Sequence, residues 1–367
     1  MTMNKLGIYV HIPFCESKCK YCNFISGIFS QDIQKRYVSA LIEEIKREKV
    51  ETKVASIFFG GGTPSILTAE AIGKIMHAIK ENFNLAKNAE ISIECNPNSV
   101  TKEKLKSYIS LGFNRISFGV QSLDDEVLML IGRVHNKAQA LQTIKLARSV
   151  GFKNINADLL LGIKENKNIS NDIMELKTAG VTHISAYMLI LEQDTPLFNE
   201  AKQNKIKLLS DDESVAQYEK YLKALRQNGF YRYEISNFAL KGYKCKHNLN
   251  YWECGEYLGF GVSAHSYING VRYSNTENIS EYLKNSKNKN YEKLTKQEKL
   301  EELIMLGLRT KRGVSLKKLE VFGYKVLENK NALKMLSLGL IKMNSTHLYI
   351  TSKNFGIANQ IILKLVE

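Results

Sequence analysis

The sequence predicts an α/β fold, a partial (β/α)6 TIM-like barrel followed by a helical cap with a small winged-helix-like hairpin. Three observations carry this reading. Six strand-like runs occur before residue 232, each followed by a helix-like run, and such alternation argues for a parallel sheet with crossover helices. All four prolines, Pro13, Pro64, Pro97 and Pro196, fall just beyond the ends of those strand-like runs, where a residue without an N–H marks the hand-over from ladder to loop. Beyond residue 232 the alternation stops and the composition changes.

The units follow one another along the chain. Residues 6–12 read as the first strand, and 32–48 as an amphipathic helix on which Ile33, Tyr37, Leu41 and Ile45 recur at i+4. Residues 54–59 lead to a helix over 68–82, with Thr68 as its N-cap and Ala71, Ile72, Ile75 and Ile79 facing inward. Strands over 90–95, 115–120, 154–161 and 182–191 precede helices over 101–111, 124–131 with 137–150, 168–179, and 211–228. Regular spacing favours a barrel over an open doubly wound sheet. It puts the strand-end loops on the face where β/α barrels keep their chemistry. The expected organisation is a barrel with its cysteine-bearing loop over 1–232, a connecting segment over 233–279 and a C-terminal domain over 280–367. In the last, helices over 296–308, 315–319 and 330–338 precede strand-like runs over 340–343 and 347–351 and a final helix over 354–365.

Composition sets limits on function. The 367 residues are 44% hydrophobic and 24% charged, which excludes a disordered chain. The longest uncharged runs, 54–69 and 178–191, are interrupted before reaching the ~18 apolar residues of a membrane span, and no apolar signal region opens the chain. A cytoplasmic protein without a transmembrane segment is expected. The net charge of +15 reads as a lysine-rich solvated surface, since no single basic block dominates and no RNA-binding module is recognisable. No nucleic-acid partner is expected. Six cysteines are too few for a disulfide scaffold in a chain this long.

Three of those cysteines crowd into the loop after the first strand as Cys15-x3-Cys19-x2-Cys22. Three thiolates on one short loop can hold three irons of a cubane cluster and leave the fourth iron without a protein ligand. Structural zinc would ask for four ligands in two separated pairs. At the end of the second strand stands Phe58-Phe59-Gly60-Gly61-Gly62-Thr63-Pro64, whose glycines let backbone groups approach a ligand closely.

The cysteine loop behind Tyr9-Val10-His11-Ile12-Pro13-Phe14, together with Gly60–Pro64, resembles the radical S-adenosylmethionine superfamily. The likeness is greatest to the branch of oxygen-independent coproporphyrinogen III oxidases and their heme-chaperone relatives, and it runs over nearly the whole chain. The resemblance implies a 4Fe-4S cluster on Cys15, Cys19 and Cys22. It also implies S-adenosylmethionine chelated to the open iron, where electron transfer splits its sulfonium. Tyr9, Tyr21, Gly61, Gly62, Thr63, Glu94, Gln121, Arg133 and Asp158 match the positions expected around that cofactor.

Two departures separate the oxidases from the chaperones. The oxidases resemble Cys-x3-Cys-x2-Cys-x-Cys, whereas Phe24 stands two positions beyond Cys22 here. The oxidases also carry a substantial segment ahead of the first strand, and here Cys15 is only the fifteenth residue. A third feature, His247-Asn248-Leu249-Asn250-Tyr251-Trp252, resembles the His-Asn-x-x-Tyr-Trp signature of the chaperone branch. It implies heme held by the imidazole of His247 with the flat faces of Tyr251 and Trp252. Cys245 is left open between a heme ligand and a buried thiol, Cys254 reads as buried, and His265, in Gly259–His265, reads as structural. The expectation is a heme chaperone, with coproporphyrinogen III oxidation as the alternative. Its partners would be heme and an acceptor protein, of which a membrane-associated respiratory enzyme is an example, and its state a monomer or a cluster-dependent dimer.

Overall fold

The computed structural model describes residues 6–367. Six β/α units follow in order. They are β1 (Leu6–Ile12) with α1 (Gln31–Arg47), β2 (Val54–Gly61) with α2 (Ala69–Asn82), and β3 (Leu85–Cys95) with α3 (Lys102–Leu111). Then come β4 (Arg115–Gln121) with α4 (Asp125–Leu130) and α5 (Lys137–Val150), β5 (Asn154–Leu161) with α6 (Ile169–Ala179), and β6 (His183–Met188) with α7 (Pro196–Lys202) and α8 (Asp211–Gln227). Strands β1 to β6 are parallel neighbours in sequence order. The helices begin and end where local chemistry directs. Ser30, Thr68, Thr101 and Ser210 each accept an N-terminal backbone N–H, and Gly112, Gly151 and Gly180 close their helices in the left-handed region.

Each barrel strand splits its residues by the period of two. On β1, Leu6, Ile8, Val10 and Ile12 are fully buried against the helices, while Tyr9 and His11 line the lumen. The same alternation puts Phe58, Glu94, Arg115, Ser117, Asn156, Asp158 and Ser185 on the lumen wall. Register stacks them: Tyr9 pairs with Phe58, Glu94 with Ser117, and Ser117 with Asn156. The barrel therefore has an apolar outer core and a polar lumen.

The segment after β6 does more than connect. β7 (Tyr231–Arg232) and β8 (Asn237–Ala239) add antiparallel strands beside β6. After α9 (Lys246–Trp252), β9 (Tyr257–Phe260) joins the opposite edge parallel to β1, and β10 (His265–Ile268), β11 (Val271–Asn275) and, beyond α10 (Ile279–Lys284), β12 (Lys289–Glu292) extend it antiparallel. The result is one twelve-stranded sheet. These strands correct the expectation of an aperiodic connector, and β12 adds a strand where only helices were expected before residue 340. They are two to five residues long, too short to carry a readable alternation.

The remaining chain forms α11 (Lys296–Leu308), β13 (Val314–Ser315), α12 (Leu316–Val321), α13 (Lys330–Ser337), β14 (Ile341–Met343), β15 (His347–Ile350) and α14 (Ala358–Val366). Its three strands make a separate antiparallel sheet in the order β13-β15-β14, over a second apolar core containing Leu303, Ile304, Leu308, Leu348 and Ile361. It is tied to the barrel at Lys311, whose N–H donates to the Tyr233 carbonyl at 3.0 Å, and at Arg232, whose guanidinium lies 5.2 Å from the Phe355 ring centroid. No helix among the described residues is long and apolar enough to cross a membrane.

Candidate functional site

The cysteine loop leaves β1 at the C-terminal end of the parallel strands and is closed at its base by two backbone bonds, Cys15 N–H to Gly27 carbonyl (2.8 Å) and Gly27 N–H to Pro13 carbonyl (2.9 Å). It is also held from outside. Lys20 donates its N–H to Ile131 carbonyl (3.1 Å) and accepts from Leu197 N–H (2.9 Å), and its ammonium pairs with Glu200 at 2.7 Å. Cys15, Cys19 and Cys22 are partly exposed free thiols. Burial raises the pKa of Cys22, and a backbone N–H from Phe24 works against that rise.

Hydrogen bonds run from the strand ends to two of these sulfurs. Thr63 Oγ1 lies 3.9 Å from Cys15 Sγ and accepts from Asn96 Nδ2 at 3.2 Å. Asn96 Oδ1 accepts from Arg133 Nη2 at 2.7 Å, and Arg133 Nη1 donates to Cys19 Sγ at 3.3 Å. Arg133 Nη2 also reaches the Gly119 carbonyl at 2.6 Å, while its Nε is buried without a partner. Gly62 sits where a Cβ would stand 2.7 Å from Phe14 O and 3.0 Å from Cys15 Sγ, so only glycine leaves this space open.

No three His, Cys, Asp or Glu side chains among the described residues converge as they would around one metal ion. A cubane cluster asks for something else, one thiolate on each of three separate irons. Three free thiols on one loop, with a guanidinium donating to one of them, fit that donor set.

Beside the loop, the lumen opens into a cavity of about 530 Å3, within the range of small-molecule sites. Of the residues expected around S-adenosylmethionine, Tyr9, Glu94 and Asp158 line this cavity. Gly61, Gly62, Thr63, Gln121, Arg133 and Tyr21 do not line it. Gly61, Gly62 and Thr63 stand at the end of β2, Arg133 is bonded to the loop, and Tyr21 packs toward Val127, Ile131 and Ile163. Gln121 ends β4 with φ +67°, at a register irregularity against β5. That backbone region is uncommon for a side-chain-bearing residue.

Glu94 has its pKa pushed up to about 8, first by desolvation in the lumen and then by the nearby Asp158 charge, against a Gly61 N–H and Arg115 that favour ionisation. Asp158 accepts from Ser117 Oγ at 2.9 Å and Asn156 Nδ2 at 2.8 Å. His11, which sequence reasoning passed over, joins loop to strand. Its Nε2 contacts the Ile25 carbonyl at 3.0 Å, which can only accept, so Nδ1 is the acceptor for Tyr9 OH, also at 3.0 Å. Asn96 and Arg115 were likewise unmarked by any motif.

His247 and Tyr251 line the same cavity, on α9. The His247 imidazole is buried. Its Nδ1 meets Ser56 Oγ at 2.9 Å, its Nε2 meets Tyr251 OH at 3.0 Å, and Phe58 stacks on it at 5.1 Å. Burial, aided by the Arg115 charge, lowers its pKa to about 3. Trp252, at the end of the same seven-residue helix, does not line this cavity, and its indole Nε1 is buried without a hydrogen-bond partner. Cys245 is fully buried and donates to Glu90 Oε1 at 3.5 Å, away from the cavity lining. His265, expected to be structural, is exposed and lines the cavity.

Comparison with known proteins agrees with this architecture. The family model for the radical SAM superfamily matches residues 9–177, and that for the HemN C-terminal domain matches residues 294–354. Heme chaperone HemW of Lactococcus lactis subsp. lactis (strain IL1403) is 33% identical over 366 residues, covering 98% of this chain and 96% of its own. Heme chaperone HemW of Bacillus subtilis (strain 168) is 34% identical over 368 residues, covering 96% and 97%. In fold, the chain is similar to coproporphyrinogen III oxidase (HemN) from Escherichia coli, with a TM-score of 0.83 at 23% identity over 99% of this chain and 90% of that one. The chain belongs to the radical SAM superfamily, in the family that contains the heme chaperones HemW.

Proposed function

We propose that this chain is a heme chaperone that takes heme into the lumen cavity and passes it to an acceptor protein. The observation that carries the reading is the shared cavity. One wall bears Tyr9, Glu94 and Asp158 from the barrel strands, and another bears His247 and Tyr251 from α9. In this reading residues 1–232 form the cofactor end, 233–279 the cargo end, and 280–367 a cap on both.

Cys15, Cys19 and Cys22 would hold a 4Fe-4S cluster, and Tyr9, Tyr21, Gly61, Gly62, Thr63, Glu94, Gln121, Arg133 and Asp158 would surround S-adenosylmethionine. When bound, the cluster supplies an open iron for chelation and a one-electron reductant. The chain's own residues do the positioning. Arg133 donates to the Cys19 sulfur and fixes its place in the loop. Thr63 and Asn96 carry that constraint to Cys15. The raised pKa of Glu94 makes it a proton holder at neutral pH in the free chain, able to donate as well as accept toward a ligand hydroxyl. For heme, the apolar faces of Phe58, Tyr251 and Tyr257 offer contact area, and the imidazoles of the cavity offer iron ligands. The oxidase alternative is supported by likeness of fold alone, and Phe24 in place of a fourth motif cysteine speaks against it.

The test is an anaerobic titration of cluster-reconstituted protein with heme, followed at the porphyrin absorption band. Saturation near one heme per chain, followed by loss of heme to an apo-hemoprotein acceptor, is the expected result. Absence of saturable binding together with turnover of coproporphyrinogen would overturn it.

A further inference from the structure

His247 is poorly placed to meet an incoming iron. Only 1% of it is exposed, and both ring nitrogens are engaged, Nδ1 by Ser56 and Nε2 by Tyr251. Phe58 stacks on its face at 5.1 Å. A porphyrin is a wide rigid plane, so reaching Nε2 requires displacement of the Tyr251 hydroxyl first.

His265 differs on each count. It lines the same cavity and is exposed, and its ring makes no hydrogen bond to any described residue. Yet its backbone is fixed. The turn before it runs through Gly261 at φ +99° and Ser263 at φ +59°, left-handed positions that persist only where the surroundings hold them. Two residues of α1 do the holding: Glu44 accepts from Gly261 N–H and Tyr37 OH accepts from Val262 N–H, each at 2.9 Å. Asn275 Nδ2 donates to the Gly261 carbonyl at 2.6 Å. Gly259 leaves room for the His265 main chain, which a Cβ there would strike. A free imidazole on an anchored backbone is a pre-organised ligand. Its neighbours at the cavity include Phe24, 69% exposed, with Ile25 and Tyr257, apolar surfaces suited to a porphyrin face.

We propose that His265 ligates the iron of the cargo heme on its capture at the cavity mouth. The inference rests on the chaperone reading above and deepens it, since it names which imidazole of the site first meets the metal. Imidazole is a good ligand for heme iron, and an exposed ligand is also one from which heme can leave.

The experiment uses the full-length, cluster-reconstituted chain and ferric heme, titrated anaerobically into wild type, His265→Ala and His247→Ala. Heme affinity, Soret position and ferric spin state by electron paramagnetic resonance are the readouts. His265→Ala is expected to weaken binding about tenfold or more and to move the iron toward the high-spin state, with added imidazole restoring the wild-type spectrum. Since His265 is exposed, circular dichroism should be unchanged. Wild-type affinity and spectrum in His265→Ala, with both lost in His247→Ala, overturns the inference and leaves the chaperone reading standing. Failure of the wild type to bind heme saturably overturns both.

Discussion

Asn96 and Arg133 meet at 2.7 Å, Oδ1 to Nη2, and that contact completes a path of hydrogen bonds from Cys15 through Thr63 to Cys19. The path leaves the cysteine loop and returns to it through the ends of β2 and β3 and the connection between α4 and α5. The loop is therefore positioned by the barrel as well as by its own turns. Asn96 is fixed in turn by a reciprocal bond set with Ser99, which caps the short turn opened by Pro97.

Removing Asn96 tests this path. Asn96→Ala leaves Arg133 Nη2 with the Gly119 carbonyl alone and takes the donor from Thr63. A lost hydrogen bond to a charged group in a buried setting costs about 1.5–3 kcal/mol. The expected outcome is a variant that folds but takes up less iron and sulfide on reconstitution, and loses its visible cluster band faster in air. Asn96→Asp keeps the acceptor toward Arg133 and should retain more of the band. Iron content equal to wild type in Asn96→Ala would show that the path does not support the loop.

The cysteines themselves give a sharper result. Cys19 alone among the three accepts from a guanidinium. Cys19→Ala should abolish the cluster-type absorption and leave Arg133 Nη1 without its sulfur acceptor. Cys245→Ala, which removes a buried thiol bonded to Glu90, should leave the band in place. Iron per chain and the visible spectrum after anaerobic reconstitution decide between these outcomes, and an unchanged band in Cys19→Ala would remove that residue from the ligand set.

Glu94 predicts a pH dependence with a definite sign. Its carboxyl titrates at 4.5 in the absence of structure and at about 8 in the lumen, because burial and Asp158 disfavour the charge. Between those values the folded chain keeps a proton that the unfolded chain has released. Its contribution to stability is thus full below 4.5 and is lost as pH rises through about 8. Urea midpoints of the cluster-free chain should fall across that window, and Glu94→Gln should flatten the fall. A ligand that needs Glu94 as a carboxylate binds more tightly as pH rises through the same range, so the S-adenosylmethionine affinity of wild type should climb and that of Glu94→Gln should not.

The barrel was legible because its signals are local and periodic. Buried Ile, Val, Leu and Phe on one face of each strand, capped helices and left-handed glycines all appear in the sequence at fixed offsets. The thiol loop was legible for the same reason, as three cysteines within eight positions. The lumen was less so. Arg115, Ser117 and Asn156 are polar residues inside strands, and only strand register shows that they share a wall with Asp158. Asn96 and His11 depend on partners 37 and 14 residues away. The cavity-facing place of His265 was not legible, because a lone histidine beside glycines carries no mark of which way it faces. Its exposure is set by β9 and β10, whose few residues give no pattern.

The buried Glu44 connects stability to the cargo end. Its carboxylate accepts from Gly261 N–H (2.9 Å), Asn275 Nδ2 (2.8 Å) and Tyr282 OH (2.7 Å), and pairs with the Lys289 ammonium. Glu44 is 1% exposed and the Lys289 side chain 9%, so removing the carboxylate strands a cation in the interior. Breaking a buried pair from one side costs about 3–5 kcal/mol, whereas removing both partners costs less. Glu44→Ala should therefore lower the urea midpoint more than Glu44→Ala combined with Lys289→Met, and a double-mutant cycle measures the coupling. Both variants also free the Gly261 N–H that helps hold the turn before His265. If that turn pre-organises the imidazole, the double variant should recover stability without recovering heme affinity. Recovery of both would mean that the turn is set by Tyr37 and Asn275 alone.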